Sequence, residues 1–412
     1  MIAMFNSRKT SNNAASYCKH GLAKQAKGDL DGAIADYNKA IELDPKAPRV
    51  YDYRGFAKRD KGDLDGAIAD YDTAIALDPQ DANGYHNRAF SKQAKGDSNS
   101  ALADFNRAIE LVPSEPHACN NRGIVKQALG DWDSALVDFD RAVELEPKDA
   151  HAYYNRAFIR RAKGNLDGAL ADYDKAIELN PKETNVYYDR GVACYDKRDW
   201  SDALSDFRKA IASKPPVSKL ATVEDYSRIR IWMVRAKLDE RDAATSELKQ
   251  YLLARIIGKP GDWPSTIIRL LTGDVSEKDF WMVAGGGNEQ QMRNQRCEAC
   301  FYVGTLRLID GDKSTAADYF TKCLETGAKS LHEYHSAVAE LAILKQSASL
   351  NERRVHQPLK AGFCHDLKRF PIEPRSSPIA SRSPVSGQCD HKPTPPISAL
   401  TPATSYRSRS GI

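Results

Sequence analysis

Four residues of this chain have the spacing of a metal shell: Cys297-x-x-Cys300 and His332-x-x-His335. Two thiolates and two imidazoles complete a tetrahedral zinc site when they converge. Both pairs lie in helical patterning, however, where i,i+3 neighbours are more often packing than ligands. No strand–helix unit precedes the cysteines to make them a redox pair. No metal or cofactor is expected. The histidines and carboxylates show no nucleophile–base pattern, so no enzyme is expected either. Gly285-Gly286-Gly287 follows no strand and reads as a joint, not a phosphate loop.

A second chemistry is hydrogen bonding by a row of amides. Asn87, Asn121 and Asn155 recur at equal spacing, with Tyr53 before them and Asp189 after. An Asn side chain offers one acceptor and two donors, so such a row pairs with a peptide backbone of any sequence. Phe56, Phe90, Ile124 and Phe158 recur three residues further on, as side-chain pockets or as ordinary interhelix core. The asparagines either meet a bound peptide or tie one helix to the next. The reading adopted is peptide contact, with Asn87, Asn121, Asn155, Tyr53, Asp189, Phe90 and Phe158 as candidate site residues.

The elements that must position these residues repeat with one period. Pro45, Pro79, Pro113, Pro147, Pro181 and Pro215 are 34 residues apart. In step with them run Gly28, Gly62, Gly96, Gly130 and Gly164, alanines from Ala33 to Ala203 and from Ala40 to Ala210, and the rings Tyr37, Tyr71, Phe105, Phe139, Tyr173 and Phe207. Each unit reads as helix, Gly-Asp or Gly-Asn turn, helix, Pro. The glycine supplies the left-handed stop, the Asp or Asn caps the next helix, and the proline ends it. One such hairpin cannot bury its apolar face alone, whereas a stack can. Arg54, Arg88, Arg122, Arg156 and Arg190 keep step with Asp36, Asp70, Asp104, Asp138, Asp172 and Asp206. We read these columns as ion pairs tying the two helices of a repeat or adjacent repeats.

This pattern resembles the tetratricopeptide repeat. The resemblance implies an all-α fold: a right-handed superhelix of helix–turn–helix repeats whose first helices line the concave surface. With neighbouring helices about 8–10 Å apart and an extended strand rising ~3.3 Å per residue, one Asn would meet about every third peptide residue. The set of lysines, asparagines and arginine by which some members clamp a chaperone's C-terminal carboxylate is not reproduced, which disfavours that role.

The expected organisation is a disordered N-terminus (1–13), six repeats (14–217), a divergent repeat-like helical domain (218–345) and a disordered Pro/Ser-rich tail (346–412). In the divergent part, Tyr226 to Leu238 and Ala243 to Arg255 read as a degenerate pair, and Trp263 to Leu271 as a helix. Glu298 to Glu325 reads as a seventh repeat through Gly304, Gly311, Ala316, Phe320 and Cys323, and Leu331 to Leu344 as a closing helix. Trp263-Pro264, Ile267 to Ser276, Cys297 to Gly304 and His335 through Leu341 resemble the C-terminal half of NlpI-type bacterial proteins. Characterised members of that family are envelope lipoproteins that act as adaptors.

The start of this chain lacks the apolar run of a secretory signal and a lipid-acceptor cysteine. Its eight cysteines do not form a disulfide framework. The expected address is therefore the cytoplasm, or the periplasm and envelope if the true start lies upstream. The net charge of +4 hides a basic tail, with ten basic against four acidic residues after Lys345, so the repeats carry no nucleic-acid footprint. Ser377-Pro378 and Ser383-Pro384 in that tail are candidate phosphorylation sites. The functional expectation is a scaffold or adaptor that binds an extended peptide segment of a partner protein in the concave groove. The alternatives are a self-assembling structural protein, for which a homodimer is possible, and a regulatory protein with the Cys2His2 metal site. No nucleic acid and no membrane span are expected.

Overall fold

The computed structural model describes residues 2–212, 220–256 and 262–355, and over these it has 19 helices and no strand. Twelve of them make six hairpins. These are α1 (Ile2–Ala26) with α2 (Leu30–Leu43), α3 (Pro48–Lys61) with α4 (Leu64–Leu77), and α5 (Ala82–Ala94) with α6 (Ser98–Leu111). They continue as α7 (Pro116–Ala128) with α8 (Trp132–Leu145), α9 (Ala150–Ala162) with α10 (Leu166–Leu179), and α11 (Thr184–Lys197) with α12 (Trp200–Ala212). There follow α13 (Leu220–Lys237), α14 (Arg241–Ile256), α15 (Trp263–Leu271), α16 (Glu277–Val283), α17 (Glu289–Ile309), α18 (Lys313–Glu325) and α19 (His332–Val355). The chain divides into a unit of residues 1–347, whose packing is described below, and a unit of residues 348–412.

The hairpin turn is built the same way each time. Gly28, Gly62, Gly96, Gly130 and Gly164 all take φ between 80° and 91°, a region that an L side chain enters at a cost. The next residue caps the second helix, as when Asp29 accepts from the Gly32 amide at 2.9 Å. Sealing the hairpin are Ala33, Tyr37 and Ala40 and their counterparts, nearly all of them without solvent exposure. The ring presses on a position that must stay small. A Cβ on Gly123 would lie 2.7 Å from Phe139, and Ala89 and Ala157 fill the same column elsewhere, fully buried.

The Arg–Asp columns are ion pairs, and they do both jobs. Arg122 donates from Nε and Nη2 to Asp138 on the second helix of its own repeat, at 2.8 and 2.5 Å. Its Nη1 reaches back to Asn106 of the repeat before, at 2.9 Å. Arg54, Arg88, Arg156 and Arg190 repeat the geometry with Asp70, Asp104, Asp172 and Asp206. Successive first helices (α1, α3, α5, α7, α9, α11) touch one another along the whole stack, and successive second helices do not come as close. The first helices therefore lie on the inside of the curve.

Two boundaries differ from expectation. The helix that ends at Ala26 starts at Ile2 rather than after residue 13. Residues 2–13 contain no Gly or Pro, so a helix nucleated downstream propagates through them. The closing helix continues past Leu344 to Val355; the rest of the expected tail, with Ser377 and Ser383, lies outside the described residues. A short helix unforeseen from sequence, α16, is started by Ser276, which accepts from the Asp279 amide at 3.1 Å. From α11 onward the separate small cores of the repeats give way to one continuous core that includes Phe207, Trp232, Ile267, Phe280, Phe301 and Phe320. Among the described residues no helix is long and apolar enough to cross a membrane.

Candidate functional site

The inner face carries two adjacent columns of polar residues on the first helices, and the structure shows how they engage. His86, Asn120 and Tyr154 occupy one column; Asn121, Asn155 and Asp189 occupy the next, one repeat along. Each rung crosses between repeats. Asn121 Nδ2 meets His86 Nε2 at 2.9 Å, Asn155 Nδ2 donates to Asn120 Oδ1 at 3.0 Å, and the Tyr154 hydroxyl donates to Asp189 at 2.5 Å. The amides of Asn121 and Asn155 are thus bonded to their own neighbours, the helix–helix role weighed against peptide contact. Burial, then the Asp189 carboxylate, pushes the Tyr154 hydroxyl well above the ordinary phenol range.

The rung before these is different. Asp52 holds the place of His86 one repeat earlier. It is 9% exposed, and its Oδ1 has no hydrogen-bond partner. Burial first, then the charge of Asp81, pushes its carboxyl up to about 7.

Of the remaining expected site residues, Tyr53 is half-buried against Tyr37, ring centroids 6.1 Å apart. Phe56 and Phe90 flank Arg59, whose guanidinium lies 4.0 Å from one ring centroid and 5.0 Å from the other. Asn87 is half-buried on the same face, next to His86. Phe158 and Asp189 face a different occupant, which is the chain's own α19.

That helix lays one stripe of side chains, His332, Ser336 and Glu340, along repeats five and six. His332 Nδ1 lies 3.0 Å from Arg161 Nη1, and Arg161 also donates to the His332 carbonyl at 3.3 Å. A guanidinium only donates, so Nδ1 accepts and the ring proton sits on Nε2, 3.0 Å from Asp189. Ser336 donates to Asp196 at 2.7 Å and accepts from Arg161 at 3.2 Å. Arg161 and Asp196 are themselves a buried pair at 2.7 Å. Glu340 is gripped by Arg198 at 2.7 Å, Lys237 at 2.7 Å and the Tyr195 hydroxyl at 3.2 Å. Phe158 packs edge-on against both His332 and His335. Burial, then Arg161, pushes the His335 imidazole down to about 3, so it is neutral there and donates from Nε2 to the Lys329 carbonyl at 2.7 Å.

The Cys and His pairs do not converge. Cys297 Sγ lies 3.3 Å from Cys323 Sγ, while His332 and His335 are engaged as above. Among the described residues, one group of three or more potential ligands has its atoms within 4.8 Å of one another: His117, Glu146 and Asp149. Also on α19, Glu333 pairs with fully buried Arg230 at 3.0 Å and accepts from Tyr302. Nearby Glu298 accepts from Tyr226 at 2.7 Å and Trp263 at 3.0 Å. Burial, then the Glu333 charge, raises the Glu298 carboxyl far above the usual range.

Sequence reasoning missed Asp196, Arg198 and Glu340. Only one left a visible sign. Arg198 stands where the five preceding repeats carry glycine and keeps the left-handed backbone, φ 66°, so the break in the glycine column marks it.

Models of the tetratricopeptide repeat match residues 21–58, 55–96 and 159–197 in one form and 139–171 in another. A comparison with curated proteins finds no match. Among solved structures, MamA is similar at 27% identity, covering 39% of this chain and 95% of that one, with a TM-score of 0.37. A tetratricopeptide repeat protein from Parabacteroides merdae is similar at 20% identity, covering 64% of this chain and 98% of that one, with a TM-score of 0.45. YrrB, described as a TPR protein with an unusual peptide-binding site, is similar at 26% identity over 46% of this chain and 97% of that one, with a TM-score of 0.38.

Proposed function

We propose that this chain, a tetratricopeptide-repeat protein, is an adaptor that holds a segment of a partner protein on the inner face of its second and third repeats. One observation carries the reading. In α9, Phe158 and Arg161 together seat a polypeptide segment, the chain's own α19. The same Phe-x-x-Arg stands three repeats earlier in α3 as Phe56 and Arg59, where the guanidinium stacks between the Phe56 and Phe90 rings and donates to Asp60 at 3.2 Å, arginine being a residue enriched at interfaces. Phe90 borders it, and Tyr53 and Asn87 complete the proposed contact set. Asn121 and Asn155, bonded between repeats, are left out of the contact set and serve the stack instead. The proposed role is binding, not catalysis.

Peptide-phage selection on the immobilised full-length chain tests this. Enriched peptides are expected to bind the native chain and to lose at least about tenfold in affinity, roughly 1.4 kcal/mol, against Arg59→Glu of unchanged helicity. Peptides that bind both forms equally, or a selection that enriches nothing, would overturn the assignment.

A further inference from the structure

The contact between α19 and the inner face has the chemistry of an exchangeable interface. Its central stripe, His332, Ser336 and Glu340, runs at i, i+4 and i+8, so one helical face presents an imidazole, a hydroxyl and a carboxylate in line. Each meets prearranged partners: Arg161 with Asp189, Asp196 with Arg161, and Arg198 with Lys237 and Tyr195. Such directional polar pairing selects a pattern, while Ala337, Leu341 and Leu344 of the same helix pack into the continuous core. Arg198 makes the same point from the backbone. An arginine held at φ 66°, where the other repeats have glycine, is strained, and the group it offers is the one that grips Glu340.

We propose that repeats five and six form a helix-binding groove whose resident occupant is α19. A partner helix with the same imidazole, hydroxyl and carboxylate stripe displaces α19 from it. This rests on the reading of the inner face as a protein-binding surface, and it adds regulation: while α19 is seated, the part of the face built from Phe158, Arg161, Asp189 and Asp196 is closed to partners. The contact is autoinhibitory. The occupant is a helix rather than an extended strand, because the groove's donors and acceptors are spaced to a helical stripe.

The test uses the full-length chain and, as probe, a fluorescein-labelled synthetic peptide of residues 330–347, read by anisotropy. The native chain, its groove filled, is expected to bind the peptide at least about tenfold more weakly than the variant Ser336→Ala/Glu340→Gln, whose own helix holds less well. Adding Arg198→Gly to that variant removes the gain, since the grip on the probe's carboxylate goes with it. Equal binding by the native chain and the double variant, or no binding by either, overturns the proposal.

A second reading does not depend on the double variant folding. Arg198→Gly restores the residue that suits a left-handed backbone and keeps the hairpin. It is expected to speed amide hydrogen exchange in α19 by about fivefold or more; unchanged exchange overturns displacement. Failure of the adaptor reading shows at Arg59 in repeat two, whereas failure of this one shows at Ser336, Glu340 and Arg198, so the two are told apart.

Discussion

Asp52 is a buried carboxyl with one oxygen left unpartnered. In the same column, His86, Asn120 and Tyr154 each bond to the following repeat, whereas Asp52 Oδ1 is buried without a partner. Its carboxyl is pushed up to about 7, by burial first and then by Asp81 and Asp78, against the lowering effect of Arg49. A carboxyl whose folded pKa lies above its unfolded value favours folding while protonated. That contribution is complete below about pH 4 and is lost as pH rises through about 7. Asp52→Asn removes the ionisation. Urea unfolding is expected to show the variant more stable than the native chain at pH 8, on the order of 1–2 kcal/mol, with the difference shrinking toward pH 4. A difference independent of pH would mean that Asp52 is ionised and stabilised in a way its surroundings do not indicate. A partner segment bringing a donor to Asp52 would lower its pKa, coupling binding to pH.

Among the elements, the hairpin is held by apolar contact and the stack by arginine. Arg122 reaches three side-chain acceptor atoms on two helices, and Asp138, almost fully buried, retains only Lys126 at 2.9 Å without it. Arg122→Ala is expected to cost about 2–3 kcal/mol in urea unfolding, because a buried carboxylate loses a bidentate partner. Arg122→Lys is expected to recover less than half, since an ammonium cannot form the fork. Full recovery by lysine would show that charge rather than geometry matters. At the sixth hairpin the glycine stop is replaced by Arg198 and the stack meets a different neighbour, so a local departure from the repeat marks a change in what the helices pack against.

At the scale of the molecule, a plain solenoid has contacts only between adjacent repeats, and its stability is close to a sum of nearest-neighbour terms. Here α19 breaks that rule by joining Arg161 to Ser336 and Tyr195 to Glu340, contacts that span 175 and 145 residues of chain. Ser336→Ala is therefore expected to raise hydrogen exchange in α9 and α11 while leaving α3 and α5 unchanged. A uniform rise would mean that α19 supports the whole stack rather than its second half. The repeats, their turns and the arginine–aspartate pairing were legible in the sequence because they depend on residues at most about one repeat apart, where a periodic pattern records which side chains must meet. The bonding of Asn121 and Asn155 was half legible: their own column stood out, but a column of amides does not say whether it faces a ligand or the neighbouring His86 and Asn120. What fills the inner face was decided only in three dimensions. His332, Ser336 and Glu340 carry an ordinary helical spacing, and nothing local ties them to Arg161, Asp196 and Arg198. Hydrogen bonds between segments so far apart leave no period to read, and only the packed chain brings their partners together.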